Sequence, residues 1–103
     1  MIVEHALLSV RDDQAAAFEA AMRQAIPLIA ASPGFLGIEV RPANEGSLYL
    51  LLVTWDDIAS HRDGFRQSDR YPQWRALLHH FYDPMPDVRY FGASIIDNSA
   101  LFK

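Results

Sequence analysis

The side chains of this sequence best suited to moving a proton or holding an aromatic ring are its four histidines, four tyrosines and two tryptophans. His61 is the most informative of them. A neutral imidazole titrates near physiological pH and can take a proton from a phenol. On a helix His61 lies one turn from Ile58 and from Phe65, so it faces inward with them, toward core or pocket. The same position suits a buried histidine satisfied by a carbonyl or carboxylate. Tyr71 and Trp74 follow at helical spacing and carry polar ends that could steady an anion. With His61 they form the candidate catalytic group.

Trp55, Phe65, Phe81 and Tyr82 are candidates for lining a substrate pocket, and the same aromatic stripe would serve as ordinary core. His5 joins them as a candidate binding residue from the first strand. Its two apolar neighbours on that strand face, Val3 and Leu7, equally suit a histidine at a sheet interface. His79 and His80 are adjacent, so on a helix they diverge by about 100° and cannot chelate one ion together. Arg66, Arg70 and Arg75 could hold a phenolate or enolate charge, or form a solvated helix surface.

Several chemistries are absent from the sequence. With no cysteine there is no disulfide, thiolate metal site or cysteine nucleophile. No H-x-x-x-H, HExxH or carboxylate cluster at ligand spacing occurs, and no metal is expected. Nor is there a G-x-G-x-x-G, P-loop or G-x-S-x-G signature. The formal charge of −4 disfavours binding to a phosphate backbone. The N-terminal run contains Glu4 and His5 and does not read as a signal peptide, and no apolar stretch approaches the roughly 18 residues that span a bilayer. A cytoplasmic, soluble protein with no membrane or nucleic-acid partner is the expectation.

The elements that must position these residues can be read from periodicity. The 103 residues suit one domain, with a core over about 1–96 and a tail over 97–103. Ile2 to Val10 reads as a strand. From Asp13, apolar residues recur at three and four positions through Phe18, Met22, Ala25 and Ile29, predicting a helix that ends near Ser32-Pro33-Gly34. Pro27 within it predicts a bend. Phe35 to Arg41 and Ser47 to Trp55 read as an antiparallel pair joined by a short loop. A second helical stretch carries Ile58, His61 and Phe65. A break at Ser68-Asp69 precedes a short helix with Pro72 in its first turn, and Asp87 to Ile96 reads as the last strand. The order is β-α-β-β-α-β, an α+β ferredoxin-like arrangement with a four-stranded antiparallel sheet.

The strands are apolar on both faces. Tyr49, Leu51 and Val53 point one way while Leu48, Leu50 and Leu52 point the other. Helices on one side leave the second face uncovered, and the simplest cover is a second copy related by two-fold symmetry, burying about 1,000 Å². The alternative cover is the chain's own tail.

Pro33-Gly34-Phe35 leading the second strand, Trp55-Asp56-Asp57 closing the third, and the His61-Phe65-Ser68 spacing before Tyr71-Pro72-Gln73-Trp74 together resemble the antibiotic-biosynthesis-monooxygenase family over Met1 to about Ile96. The resemblance implies a dimeric α+β barrel. It also implies a cofactor-independent oxygenase that deprotonates a small aromatic or quinol-like substrate in an apolar pocket and lets the carbanion meet oxygen. The family includes haem-degrading members, whose pattern wants an Asn on the first strand, a Trp in the second helical segment and a His ligand. Here His5 and Phe65 stand at the first two positions, and His79 reaches the third only with a shift of about one turn, so haem is not expected. The reading from another class is a non-catalytic dimeric barrel that binds a small hydrophobic ligand or a partner.

Overall fold

The structure is a computed structural model that describes residues 1–98. Its elements are β1 (Ile2–Ser9), α1 (Ala15–Ala30), β2 (Phe35–Pro42), β3 (Leu48–Trp55), a π-helical turn (Ser60–Phe65), α2 (Arg70–Leu78), a 3₁₀ turn (His79–Phe81) and β4 (Arg89–Phe91). The strands form one antiparallel sheet in the order β2-β3-β1-β4, the ferredoxin-like topology expected. Most of the tail expected over 97–103 lies outside the described residues.

Periodicity decides what each element buries. On α1 the buried residues are Phe18, Met22, Ala25 and Ile29, one stripe at helical spacing that packs on the sheet. The helix starts at Ala15 rather than Asp13, because Asp13 takes a φ of 65° in the preceding turn. It continues unbroken through Pro27, which lies on the exposed side. Along β3 every second residue is buried, Tyr49, Leu51, Val53 and Trp55, and these face the helices. Glu4, Ala6 and Leu8 of β1 share that face.

The other sheet face carries the second apolar set expected of the strands. Leu7 is 50% and Phe91 52% exposed there, and Leu48, Leu50 and Leu52 are only partly buried.

Two expectations are corrected. The last strand is Arg89–Phe91, not Asp87 to Ile96. Arg89, Tyr90 and Phe91 pair with His5, Glu4 and Val3, and Gly92, which has no side chain to pack on the sheet, follows at once. The stretch around His61 is a π-helical turn rather than an ordinary helix: the Arg66 N–H donates to the His61 carbonyl five residues back, at 3.0 Å.

That turn is held at its start by local chemistry. Asp57 Oδ1 accepts both the Ser60 N–H and the Ser60 hydroxyl, each at 2.8 Å. Gly34 packs against Ser60 with a φ of 86°, and a Cβ at this position would collide with the serine side chain. The Pro33-Gly34 turn and the Asp56-Asp57 pair therefore place the residue that precedes His61.

Candidate functional site

The site is assembled at one end of the helix-covered face. Strand register sets Glu4 of β1 opposite Val53 of β3 on one side and Tyr90 of β4 on the other. All three point toward the helices, as does Trp55, two residues beyond Val53. The π-helical turn lowers His61 onto this patch from above. The Trp55 indole N–H donates to Glu4 Oε1 at 2.9 Å. His61 Nε2 lies 3.4 Å from the same oxygen, and its Nδ1 lies 2.6 Å from the Tyr90 hydroxyl. The Trp55 and His61 rings are 5.4 Å apart between centroids.

Glu4 and His61 of this group form part of the wall of a cavity of about 260 Å³ between sheet and helices. Ala6, Leu8, Ile29 and Leu51 make its apolar floor, and Phe65, Tyr71, Trp74 and Tyr82 bring aromatic surface to it. Phe65 is the hub of that surface, with Tyr71 and Trp74 set edge-on to it at 5.5 and 5.6 Å. Arg66 also lines the cavity, its guanidinium 5.7 Å above the Tyr71 ring.

Burial controls the charges. Glu4 is 4% exposed, and desolvation pushes its carboxyl up to about 7 against the opposing pull of the Trp55 N–H and Arg66. Desolvation, with Arg66 adding to it, brings the His61 imidazole down to about 4. Near neutral pH the imidazole is therefore neutral while the carboxyl is balanced between its two forms. Burial and the Glu4 charge raise Tyr90, and burial, then Tyr71, raises Tyr82, so both hydroxyls stay protonated. Such an arrangement can accept a proton from a weak acid in an apolar enclosure and can set a guanidinium beside the anion that results.

Of the residues singled out from sequence, His61, Phe65, Tyr71, Trp74 and Tyr82 line this one cavity. Trp55 lies behind it, fully buried, and reaches it through Glu4. Phe81 is buried against Phe18, in the core beside the cavity. His5 is on the opposite sheet face, edge-on to Phe91 at 5.6 Å. A one-residue step along a strand reverses its direction, which is why His5 and Glu4 diverge. His79 reaches the cavity rim and His80 does not, since it is exposed against Phe81. Among the arginines only Arg66 lines the cavity. Arg70 instead donates to the Leu28 carbonyl and to Ser32 Oγ.

Glu4 and Tyr90 were missed. Glu4 was legible in principle as an acid at an otherwise apolar helix-facing position of β1, whereas nothing local marks Tyr90. Among the described residues no group of three or more His, Cys, Asp or Glu side chains could hold a metal ion, and no helix is long and apolar enough to cross a membrane.

A model of the antibiotic biosynthesis monooxygenase family matches residues 1–77. The chain is 40% identical over 92 residues to the uncharacterised protein YczJ of Bacillus subtilis, covering 88% of this chain and 97% of that one. A crystal structure from Bordetella bronchiseptica, named as a candidate antibiotic biosynthesis monooxygenase, is 30% identical with a TM-score of 0.86, over 91% of this chain and 97% of the other. SnoaB of Streptomyces nogalater, a cofactor-independent oxygenase, shares the fold at 16% identity, with a TM-score of 0.80 over 95% and 97% of the two chains.

Proposed function

Because the chain belongs to the antibiotic biosynthesis monooxygenase family, we propose that it is a cofactor-independent monooxygenase acting on a small aromatic or quinol-like molecule held in the cavity beneath the π-helical turn. The observation that carries this reading is the buried Glu4–His61 pair in the cavity wall. Ionisable groups are costly to bury and are concentrated where proton chemistry is done.

In this mechanism the ring of the substrate lies against Tyr71 and Trp74. Its hydroxyl proton passes to the Glu4–His61 pair, breaking the substrate O–H bond, and Arg66 faces the anion. The hydroxyl is the enol form of a ring ketone, so its loss of a proton makes the conjugated ring C–H carbon nucleophilic. That carbon forms a C–O bond to dioxygen, the enolate oxygen returns to a ketone, and the outer peroxide oxygen takes the proton held by the pair. The pair then removes the remaining C–H proton, the C–H electrons form the carbonyl as the O–O bond breaks, and the departing hydroxide takes that proton and leaves as water. The substrate supplies all four electrons.

The open sheet face takes a second copy of the chain in this reading. Leu7, Leu50, Leu52 and Phe91 form its apolar centre, and a charge introduced by Leu7→Glu should turn a dimer into monomers in sedimentation.

The test of activity is oxygen uptake by purified, metal-free protein with anthrones, hydroquinones and catechols. Uptake that falls at least about tenfold in a folded His61→Ala variant supports the reading. No uptake with any of them, while a hydrophobic dye still enters the cavity, replaces it with a non-catalytic ligand-binding barrel.

A further inference from the structure

The Glu4–His61 pair contains two groups that could act as the base, and the geometry separates their roles. A neutral imidazole has one N–H and one lone pair. Both ring nitrogens of His61 are already turned toward protein groups, Nδ1 to the Tyr90 hydroxyl at 2.6 Å and Nε2 to Glu4 Oε1 at 3.4 Å. Nδ1 is committed by a hydrogen bond, and Nε2 has the Glu4 carboxyl as its close neighbour in the cavity wall. Glu4 differs, because the Trp55 N–H and His61 Nε2 converge on the same oxygen, Oε1, of a carboxyl that itself lines the cavity.

We propose that Glu4 is the group that takes the substrate's proton, and that Tyr90 of β4 is a positioning residue acting on Glu4 through His61. This rests on the cavity being where the substrate is deprotonated. A protonated phenol donates to Nδ1, which leaves the hydrogen of the imidazole on Nε2, aimed at Glu4 Oε1. The Trp55 N–H then bonds Oε1 at 2.9 Å while the imidazole N–H lies near the same oxygen at 3.4 Å, a longer electrostatic contact, and both favour the carboxylate form. The transfer breaks the substrate O–H bond and forms an O–H bond on Glu4, with no change of oxidation state.

Other groups bear on the same balance. Arg66 favours the carboxylate, Arg62 and Asp63 flank Tyr90, and His79 and Tyr82 stand elsewhere around the cavity. The short β4 acquires a purpose in this scheme. Its three residues pair with Val3, Glu4 and His5, so the strand sets Tyr90 beside the acid it serves.

The experiment is nitrogen-15 and carbon-13 NMR titration of His61 and of the Glu4 carboxyl in the full chain without substrate, in wild type, Tyr90→Phe and Glu4→Gln. The expected result is the Nε2–H tautomer in wild type above the Glu4 midpoint, and a Tyr90→Phe variant with mixed tautomers and a higher Glu4 midpoint. An Nδ1–H tautomer in wild type, or a Tyr90→Phe variant that changes neither signal, overturns the positioning role.

The base role is read from oxygen uptake with a substrate the wild type consumes. Glu4→Gln should lower kcat by about a hundredfold or more with little change in KM, and Tyr90→Phe should lower kcat less and shift the acid limb of its pH profile. A Glu4→Gln variant at full rate overturns the base role and leaves the monooxygenase reading standing. A wild type that consumes no oxygen removes that reading and the base role together, while the titration still decides what Tyr90 does.

Discussion

Among the described residues two hollows of similar size lie between the helices and the sheet, and they differ in how an acid is held in each. The hollow over β2 and β3, about 300 Å³, is bounded by Phe18, Met22, Ile26, Ile38, Val40 and Tyr49, with Glu19 and Arg23 at its edge. Its acid is already used, because the Tyr49 hydroxyl donates to Glu19 at 2.7 Å and burial pushes that phenol up to about 12. The hollow over β1 and β4 holds a more deeply buried acid facing a neutral imidazole. Space alone is therefore a poor guide to function here. What differs is the setting of the acid: Glu19 is half-buried and takes a phenol's hydrogen bond, whereas Glu4 is buried, bonded by an indole N–H and set beside an imidazole.

The largest effects should come from the aromatic anchors of the two hollows, Phe18 and Phe65, both essentially without solvent contact. Truncating either to Ala should cost about 3–5 kcal/mol in urea unfolding. Only Phe65→Ala should also displace the Glu4 titration, since Phe65 packs beside His61 and Trp74. An equal displacement in Phe18→Ala would mean that the two hollows behave as one.

The next effect is a pair of opposed pH slopes. Folded Glu4 keeps its proton to about 7, while an ordinary glutamate releases it near 4.5. The folded state therefore binds the extra proton between those values, and this contribution to stability falls as pH rises through that window. Folded His61 releases its proton near 4 rather than 6.5, so its contribution rises with pH between 4 and 6.5. Each is on the order of 3 kcal/mol, and in wild type they nearly cancel between pH 4.5 and 6.5. Glu4→Gln should leave stability rising with pH over 4 to 6.5, and His61→Gln should leave it falling over 4.5 to 7. Unfolding measured across that range checks both, and parallel slopes in the two variants would contradict the arrangement.

A smaller contrast lies in the two phenols. Tyr49→Phe removes the bond to Glu19 and should cost about 1–2 kcal/mol without altering the Glu4 titration. Tyr90→Phe should cost a comparable amount and shift that titration. The smallest effect is expected outside both hollows. Arg11 pairs with Asp83 at 3.3 Å, with both side chains more than half exposed, so Arg11→Ala should change stability by no more than about 1 kcal/mol.

The sequence by itself determined the element order and the two-faced apolar strands. Periods of two and about 3.6 residues, with Gly and Pro between them, are local properties that each segment carries alone. The same signals brought out His61, Phe65, Tyr71 and Trp74, which lie within one continuous stretch and so meet through helical spacing. Only the tertiary structure could show that Glu4 and Tyr90 complete the group. They are 86 positions apart in the chain, and they meet because β1 and β4 pair in one register, which a shift of a single residue would undo. It also decided which of two adjacent residues mattered, turning Glu4 toward the cavity and His5 toward the open face. The site needs long-range contacts that no segment encodes alone.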